Sequence, residues 1–188
     1  MTQETPEQKF TDPNDFYTEE EANRYNQSSG MRKTQIELTK IALNLSKPLS
    51  ENKIIDILDI GCGTGFSLEF LKSLGYSSLK GIDPSKEMIK LAKIKKLNVK
   101  IGGFQELNKI SEKYDLILSI SALQWLLPNK KEIEIKNIIK KIGNDLKTIL
   151  KKEGICIIQL YPENEKKIDI IISSFKRNFL NSLANICA

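Results

Sequence analysis

The sequence contains no histidine, so the usual general base and the commonest metal ligand of proteins are both absent. Its cysteines, Cys62, Cys156 and Cys187, show neither metal-ligand spacing nor the even number of a disulfide framework. No apolar run approaches the roughly 20 residues that span a membrane, and the polar start of the chain lacks the order of a secretory signal. These absences predict an intracellular protein with reduced thiols, no metal site and no membrane segment.

The composition is that of an ordinary soluble protein, with 188 residues of which 40% are hydrophobic and 28% are charged. The net charge of +5 is compatible with a nucleic-acid partner, although a genome biased toward lysine, isoleucine and asparagine codons would give the same excess. Clustered lysines are candidates for phosphate contacts or for solvated helix faces. They are Lys90, Lys93, Lys95, Lys96, Lys130, Lys131, Lys140 and Lys141.

Residues 1–15 and 16–188 differ in the spacing of their apolar residues. Residues 1–15 are polar and show no apolar period, which predicts a disordered segment. Residues 16–188 predict one domain, and its first part, 16–47, predicts a helical cover. The helical pattern runs from Glu19 to Leu45, and we expect a division near Gly30.

After this cover, apolar runs with strand character alternate with helical patterns. Strands are predicted at 54–60, 79–82, 98–102, 116–121 and 154–160, and helices at 65–73, 86–95, 133–150 and 164–179. Because strands joined through helices form right-handed crossovers, the alternation predicts an α/β fold with a Rossmann-like, doubly wound, mainly parallel sheet.

The most informative motif is LDIGCGTG at 58–65, where a predicted strand turns into a helix. Gly61, Gly63 and Gly65 allow the backbone to approach a ligand closely, and Asp59 precedes them. The GxGxG spacing differs from the GxGxxG spacing of nicotinamide-binding folds and resembles motif I of class I methyltransferases. A glycine-rich turn without a ligand is the plain alternative.

The second predicted strand ends in GIDPS, so Asp83 and Pro84 follow the glycine loop by about 20 residues. A carboxylate at that position can accept hydrogen bonds from both ribose hydroxyls of a nucleoside cofactor. Asp83 could instead cap the helix that begins near Ser85.

The third predicted strand leads into IGGFQEL, and Gly103 stands where related proteins carry an acid that meets an adenine amino group. Backbone groups near Gly103 and Phe104 could still hold the adenine, with the Phe104 ring packed on it. A phenylalanine of the core is the alternative interpretation.

The fourth predicted strand places Ser119, Ser121, Gln124 and Trp125 at the carboxyl edge of the sheet, where open α/β folds bind ligands. The indole of Trp125 could stack on a planar base, or it could belong to the core or to a lid. Neither serine has a histidine partner, which excludes a hydrolase triad.

With these residues in place, the chain resembles the 18S ribosomal RNA guanine-N7 methyltransferase family and its archaeal relatives from Asp15 to about Phe175. The matching segments are FYTEEEANRY at 16–25, LDIGCGTG, GIDPS, SISALQWL at 119–126 and QLYPEN at 159–164. The QW pair is also similar to small-acid O-methyltransferases.

The resemblance implies S-adenosylmethionine as cofactor and guanine N7 in small-subunit ribosomal RNA as methyl acceptor, in ribosome biogenesis. The implied cofactor-binding residues are Tyr25, Asp59, Gly61, Cys62, Gly63, Gly65, Asp83, Pro84, Gly103, Phe104 and Ser119. The implied substrate side consists of Ser121, Gln124, Trp125, Tyr161, Pro162, Glu163 and Asn164. Tyr25 and Arg24 would close over the cofactor, and no residue is expected to act as a chemical catalyst.

The resemblance also implies a small zinc-binding activator protein that adds a strand to the sheet edge at 98–102, with the zinc held by that partner. Family members usually continue into two further strands, so we expect either that these strands are missing or that the ending is atypical. Localisation would be nuclear and cytoplasmic in a eukaryote and cytoplasmic in an archaeon. A small-molecule methyltransferase for carboxylates or hydroxyls and a non-catalytic ribosome assembly factor are the rival hypotheses.

Overall fold

The computed structural model describes residues 5–10, 12–47, 49–161 and 164–178. The predictions for Pro162, Glu163, Cys187 and the ending of the chain lie outside these residues.

The described part of the chain forms a five-stranded sheet in which all neighbouring strands run parallel. The strands are β1 (Ile57–Ile60), β2 (Leu79–Asp83), β3 (Val99–Ile101), β4 (Tyr114–Ile120) and β5 (Leu150–Gln159). Their order is β3-β2-β1-β4-β5, which confirms the predicted doubly wound α/β fold and leaves β3 at one edge.

Helices cover both faces of the sheet. They are α4 (Ser29–Leu45), α5 (Phe66–Ser73) and α6 (Lys86–Ile94) on one face, and α7 (Glu132–Ile149) and α8 (Glu165–Asn178) on the other. Short 3-10 turns occupy Leu49–Glu51, Phe104–Lys109 and Leu123–Leu126.

Successive side chains of a strand point to opposite faces of the sheet, so each strand contributes to the core on both faces. Ile57 and Leu116 pack with residues of α4 and α5, whereas Leu58 and Ile117 pack with residues of α7 and α8. The central strands are therefore apolar on both sides, as expected of a covered parallel sheet.

Some element boundaries differ from the predictions. β1 begins at Ile57 because Ile54 is 89% exposed and the Asp56 N–H donates to the Asp115 carboxylate at 2.8 Å instead of to a strand. β5 begins at Leu150, directly after α7, since Leu150 pairs with Tyr114 before an irregularity in the register.

The described residues of the N-terminal region, 5–10 and 12–15, also differ from the prediction of disorder. The region contains α1 (Pro6–Lys9) and α2 (Pro13–Phe16), which precede α3 (Glu19–Gln27). Asp12 caps α2 by accepting the Asn14 N–H at 2.8 Å. The rings of Phe10 and Phe16 pack with centroids 5.4 Å apart. Aromatic contacts therefore supply the apolar packing that the polar composition of this region did not suggest.

The cover is divided at Ser28 and not at Gly30. Ser28 has an extended backbone, and its hydroxyl accepts the Met31 N–H at 3.2 Å, so it caps α4. Gly30 lies inside α4.

Candidate active site

A cavity of about 740 Å³ opens at the carboxyl ends of the strands, within the size range of small-molecule sites. It is lined by the ends of all five strands and by residues of the N-terminal region, including α4. The predicted site residues that line it are Tyr25, Asp59, Gly61, Cys62, Gly63, Asp83, Pro84, Gly103, Phe104, Ser121, Trp125 and Tyr161.

Other predicted residues do not line this cavity. Ser119 is fully buried on the same sheet face as Ile117, and Gln124 is only 4% exposed. Asn164 instead caps α8 by accepting the Lys167 N–H at 3.0 Å. Gly65 stands at the start of α5 and lies close to Leu97, and the exposed Arg24 pairs with Glu21.

The glycine loop after β1 is held by backbone hydrogen bonds. The N–H groups of Gly61 and Cys62 both donate to the Ile82 carbonyl, at 2.8 and 3.0 Å. Gly61 and Gly63 have φ values of +79° and +53°, which other residues rarely adopt. A methyl group at Gly61 would lie 2.2 Å from the Cβ of Ala122. The close approach of the segment after β4 therefore also requires glycine at position 61.

Two buried carboxylates flank this loop. Asp83 is 7% exposed and accepts the Gly63 N–H through one oxygen and the Ser85 N–H through the other, each at 2.8 Å. Asp59 is 2% exposed, and its Oδ2 atom has no hydrogen-bond partner among the described residues.

Both carboxyls are easier to protonate than ordinary ones. Burial raises the pKa of Asp59 to about 7, with a further contribution from the negative charge of Asp83. Burial raises the pKa of Asp83 to about 6, although the N–H groups of Ser85 and Gly63 act in the opposite direction. A cationic ligand would offset the cost of ionising both groups.

Aromatic residues of the cover close the cavity. Tyr25 stacks on Phe66, with ring centroids 5.5 Å apart, and Tyr17 packs against Trp125 at 5.6 Å. Burial raises the pKa of both tyrosines, with a smaller contribution from Asp83, so their hydroxyls stay protonated at neutral pH. The cover therefore offers neutral donors beside the carboxylates.

The turn after β3 supplies a carboxylate that the sequence analysis missed. Glu106 lines the cavity and accepts the Gly103 N–H at 2.9 Å through its Oε2 atom. The Gly103 N–H is thus already engaged. Phe104 is 4% exposed, belongs to the core and also borders the cavity.

Gln159 was also missed as a site residue. Its Oε1 atom accepts the Ser121 N–H at 3.0 Å and the Ser121 hydroxyl at 2.9 Å. Because a backbone N–H can only donate, the atom facing it must be the oxygen, and Nε2 lies on the other side of the amide. Gln159 lines the cavity, so it can present this donor to a ligand.

Further missed residues come from the N-terminal region that precedes β1. They are Asp12, Pro13, Asn14, Tyr17, Met31, Thr34, Gln35 and Leu38. The aromatic Phe10, Phe16 and Tyr17 within a polar segment were the available signal.

The charge of the cavity lining has one sign. Asp12, Asp59, Asp83 and Glu106 contribute carboxylates, and no lysine or arginine lines the cavity among the described residues. Within the same residues, no cluster of three or more acidic or cysteine side chains could hold a metal, and no helix is long and apolar enough to cross a membrane.

Comparison with known proteins agrees with this geometry. Residues 57–147, which include the glycine loop and Asp83, match the family described as "Methyltransferase domain". The chain therefore has the class I methyltransferase fold, and its residues 57–147 match the methyltransferase domain. This domain accounts for the parallel sheet and for the position of the cavity at its carboxyl edge.

Relatives of the domain include the 18S rRNA (guanine-N(7))-methyltransferase of Bos taurus, 33% identical over 88% of this chain and 59% of that protein. The 18S rRNA (guanine(1575)-N(7))-methyltransferase of Saccharomyces cerevisiae is 31% identical over 90% of this chain and 62% of that protein. The chain thus spans about three fifths of the length of these curated relatives.

A solved structural neighbour is part of a complex with the Trm112 methyltransferase activator of Haloferax volcanii. It superimposes with a TM-score of 0.54 at 23% identity and covers 76% of this chain and 57% of its own. This likeness establishes the shared fold.

Proposed function

We propose that the chain is an S-adenosylmethionine-dependent methyltransferase that modifies a guanine N7 in small-subunit ribosomal RNA during ribosome biogenesis. The observation that carries the cofactor assignment is a cavity that joins the glycine loop to buried Asp59 and Asp83 without a lysine or arginine in its described lining. S-adenosylmethionine is cationic at its sulfonium and ammonium groups, so the residues fit it. The RNA acceptor rests on similarity to the relatives named above.

The cofactor would lie along the carboxyl edge of the sheet. Asp83 would accept the ribose hydroxyls with the lone pairs left by its two N–H contacts, and the Asp59 oxygen that lacks a partner would face the ammonium group. Tyr25 would close over the cofactor, because its ring packs beside Gly63.

The adenine would occupy the space bordered by Gly103, Phe104 and Glu106. The carboxylate absent at position 103 would come from Glu106, whose Oε1 atom can accept from the adenine amino group while Oε2 holds the Gly103 N–H.

S-adenosylmethionine supplies an electrophilic methyl group when bound. Guanine N7 has an in-plane lone pair and no proton, so its attack requires no general base, in keeping with a chain that lacks histidine. The residues of the cavity need only bind, orient and exclude water, and such positioning can lower a barrier by roughly 7–11 kcal/mol.

The acceptor base would enter between Trp125, Ser121 and Tyr161. Gln159 would donate its Nε2 hydrogen to the O6 atom beside N7, since Ser121 fixes the amide orientation. This contact would place N7 toward the methyl group.

We expect Gln159→Leu to slow guanine methylation by about 10- to 100-fold with unchanged cofactor affinity, because one donor to a buried acceptor is worth roughly 1–3 kcal/mol. The Gln159 carbonyl also accepts the Ser121 N–H at 3.0 Å, so the local fold should survive. Single-turnover rates on RNA containing guanine or 2-aminopurine, which lacks O6, would test this. On 2-aminopurine, Gln159→Leu and wild type should react at the same rate. A wild-type rate of Gln159→Leu on guanine would contradict the assignment.

We expect cofactor affinity to rise roughly 10-fold from about pH 5.5 to about pH 7.5, because Asp59 and Asp83 ionise in that interval and then attract a cation. Tyr25 and the Cys62 thiol also face Asp59, but the pKa of each is raised, so both stay neutral there. Calorimetric titration across this range measures the effect. Asp59→Asn should remove the increase in affinity between about pH 6.5 and about pH 7.5. A wild-type affinity that does not change with pH would contradict the prediction.

A small zinc-binding activator of the Trm112 type would bind at β3. Support comes from the edge position of β3, from the 58% exposure of Ile101 on it and from the neighbour solved with such an activator. A ribosomal RNA substrate places the enzyme inside the cell. The compartment would be nucleus and cytoplasm in a eukaryote, or cytoplasm in an archaeon.

The cavity disfavours a methyltransferase for small carboxylates. Such a substrate needs a cationic or strongly donating partner, whereas the described lining contributes Asp12, Asp59, Asp83 and Glu106. A neutral base avoids this repulsion.

The decisive experiment is methyl transfer from labelled S-adenosylmethionine to small-subunit ribosomal RNA by the chain co-expressed with an activator. Label recovered as 7-methylguanosine is the expected result. Transfer only to small carboxylates or hydroxyls would select the first rival, and cofactor binding without transfer to any RNA would select an assembly factor.

A further inference from the structure

A second cavity, of about 380 Å³, lies beside the first. The two share walls formed by Phe104, Gln105, Trp125 and Leu126. Ile138 of α7 adds apolar surface to the second cavity. Its volume exceeds the lower limit of about 300 Å³ that is usual for small-molecule sites.

The two cavities have opposite charge. Among the described residues, the second has Lys130 and Lys141 in its lining and no carboxylate. Lys141 pairs with Asp145 at 2.7 Å, whereas Lys130 has no carboxylate within ion-pairing distance in the described part of the chain. An anion is therefore favoured here and disfavoured in the first cavity.

The loop that carries Lys130 has a defined shape. Asn129 adopts the left-handed conformation, with φ of +57°, and the Lys130 N–H donates to the Leu127 carbonyl at 3.4 Å. The turn thus positions the Lys130 backbone beside Trp125, the half-buried wall between the cavities.

We propose that the second cavity binds the nucleotide adjacent to the methylated guanine, a step that rests on the proposed function. Its base would pack on Trp125 and Leu126, and its phosphate would lie near Lys130 and Lys141. The neutral guanine would fill the acidic cavity while the phosphodiester stays over the basic one. Aromatic stacking and lysine contacts are the ordinary means of binding single-stranded RNA.

Trp125 is the only tryptophan of the chain, so its fluorescence reports on both cavities. The test titrates the activator complex, loaded with S-adenosylhomocysteine, with a single-stranded RNA from the methylated site. The same RNA with an abasic site on either side of the guanine is the comparison. We expect quenching with the parent RNA and about 10-fold weaker binding for one abasic RNA.

The double variant Lys130→Gln/Lys141→Gln should also bind the parent RNA about 10-fold more weakly, with a smaller salt dependence. Lys136→Gln/Lys140→Gln is the matched control, because these lysines of α7 do not line the cavity. Equal affinity for abasic and parent RNA, or equal losses in both double variants, would overturn the subsite alone if guanine methylation persists. Absence of methylation and of quenching would overturn both proposals.

Discussion

Asp83→Ala is expected to weaken S-adenosylmethionine binding by at least about 100-fold. The carboxylate holds the N–H groups of Gly63 and Ser85, each at 2.8 Å, so its loss leaves both donors without their acceptor. Hydrogen bonds to a charged group contribute roughly 1.5–3 kcal/mol each, and the ribose contact is lost as well. Calorimetric titration with the cofactor measures the effect directly.

Two variants separate this effect from a general loss of charge. Asp56→Ala removes an exposed carboxylate that pairs with Lys151 at 2.7 Å outside the cavity, and it should leave cofactor affinity unchanged. Asp83→Asn keeps one acceptor oxygen and should fall between wild type and Asp83→Ala. If Asp83→Ala bound the cofactor like Asp56→Ala, the assignment of Asp83 to the cofactor would be wrong.

Gly61→Ala should lower the free energy of unfolding by about 2–5 kcal/mol and abolish cofactor binding. The left-handed backbone, with φ of +79°, costs an alanine roughly 1–2 kcal/mol. The added methyl group would lie 2.2 Å from the Cβ of Ala122, and such overpacking costs about 1–3 kcal/mol more. Urea unfolding measures the change.

Gly75→Ala is the matched control for backbone strain. Gly75 also has a positive φ, +92°, but no atom lies within 4 Å of the added methyl group, so only the conformational cost should remain. Adding Ala122→Gly to Gly61→Ala should restore part of the stability by removing the clash. Equal losses for Gly61→Ala and Gly75→Ala would show that crowding at Ala122 is unimportant.

Local patterns were sufficient to predict a mainly parallel α/β sheet, whereas the edge position of β3 was implied by the family resemblance. The alternation of strands and helices determines a parallel order, and the glycines before α5 with Asp83 at the end of β2 mark the cofactor edge. The early start of β5 at Leu150 was not predictable, because it depends on pairing with Tyr114 across a register irregularity.

The parts of the site that escaped prediction depend on contacts between distant segments. Glu106 was not predicted because it lies three residues beyond Gly103, and only the fold shows that its carboxylate reaches the same cavity. The proposed role of Gln159 depends on Ser121, which directly follows the neighbouring strand β4. The polar composition of the first residues concealed the packing of Phe16 against Trp125, with centroids 5.8 Å apart.

The N-terminal region that precedes β1 would also bear on the turnover rate of the proposed enzyme. It is tied to the rest of the domain by the contacts of Phe16 and Tyr17 with Trp125 and by the Asn14 side chain, which accepts the Lys86 N–H at 3.2 Å. Under the proposed function, spent cofactor would leave when these contacts separate, and such lid opening limits many enzymes. Substitutions of Phe16, which does not line the cavity, would therefore change the rate of product release without altering the loop that would bind the cofactor.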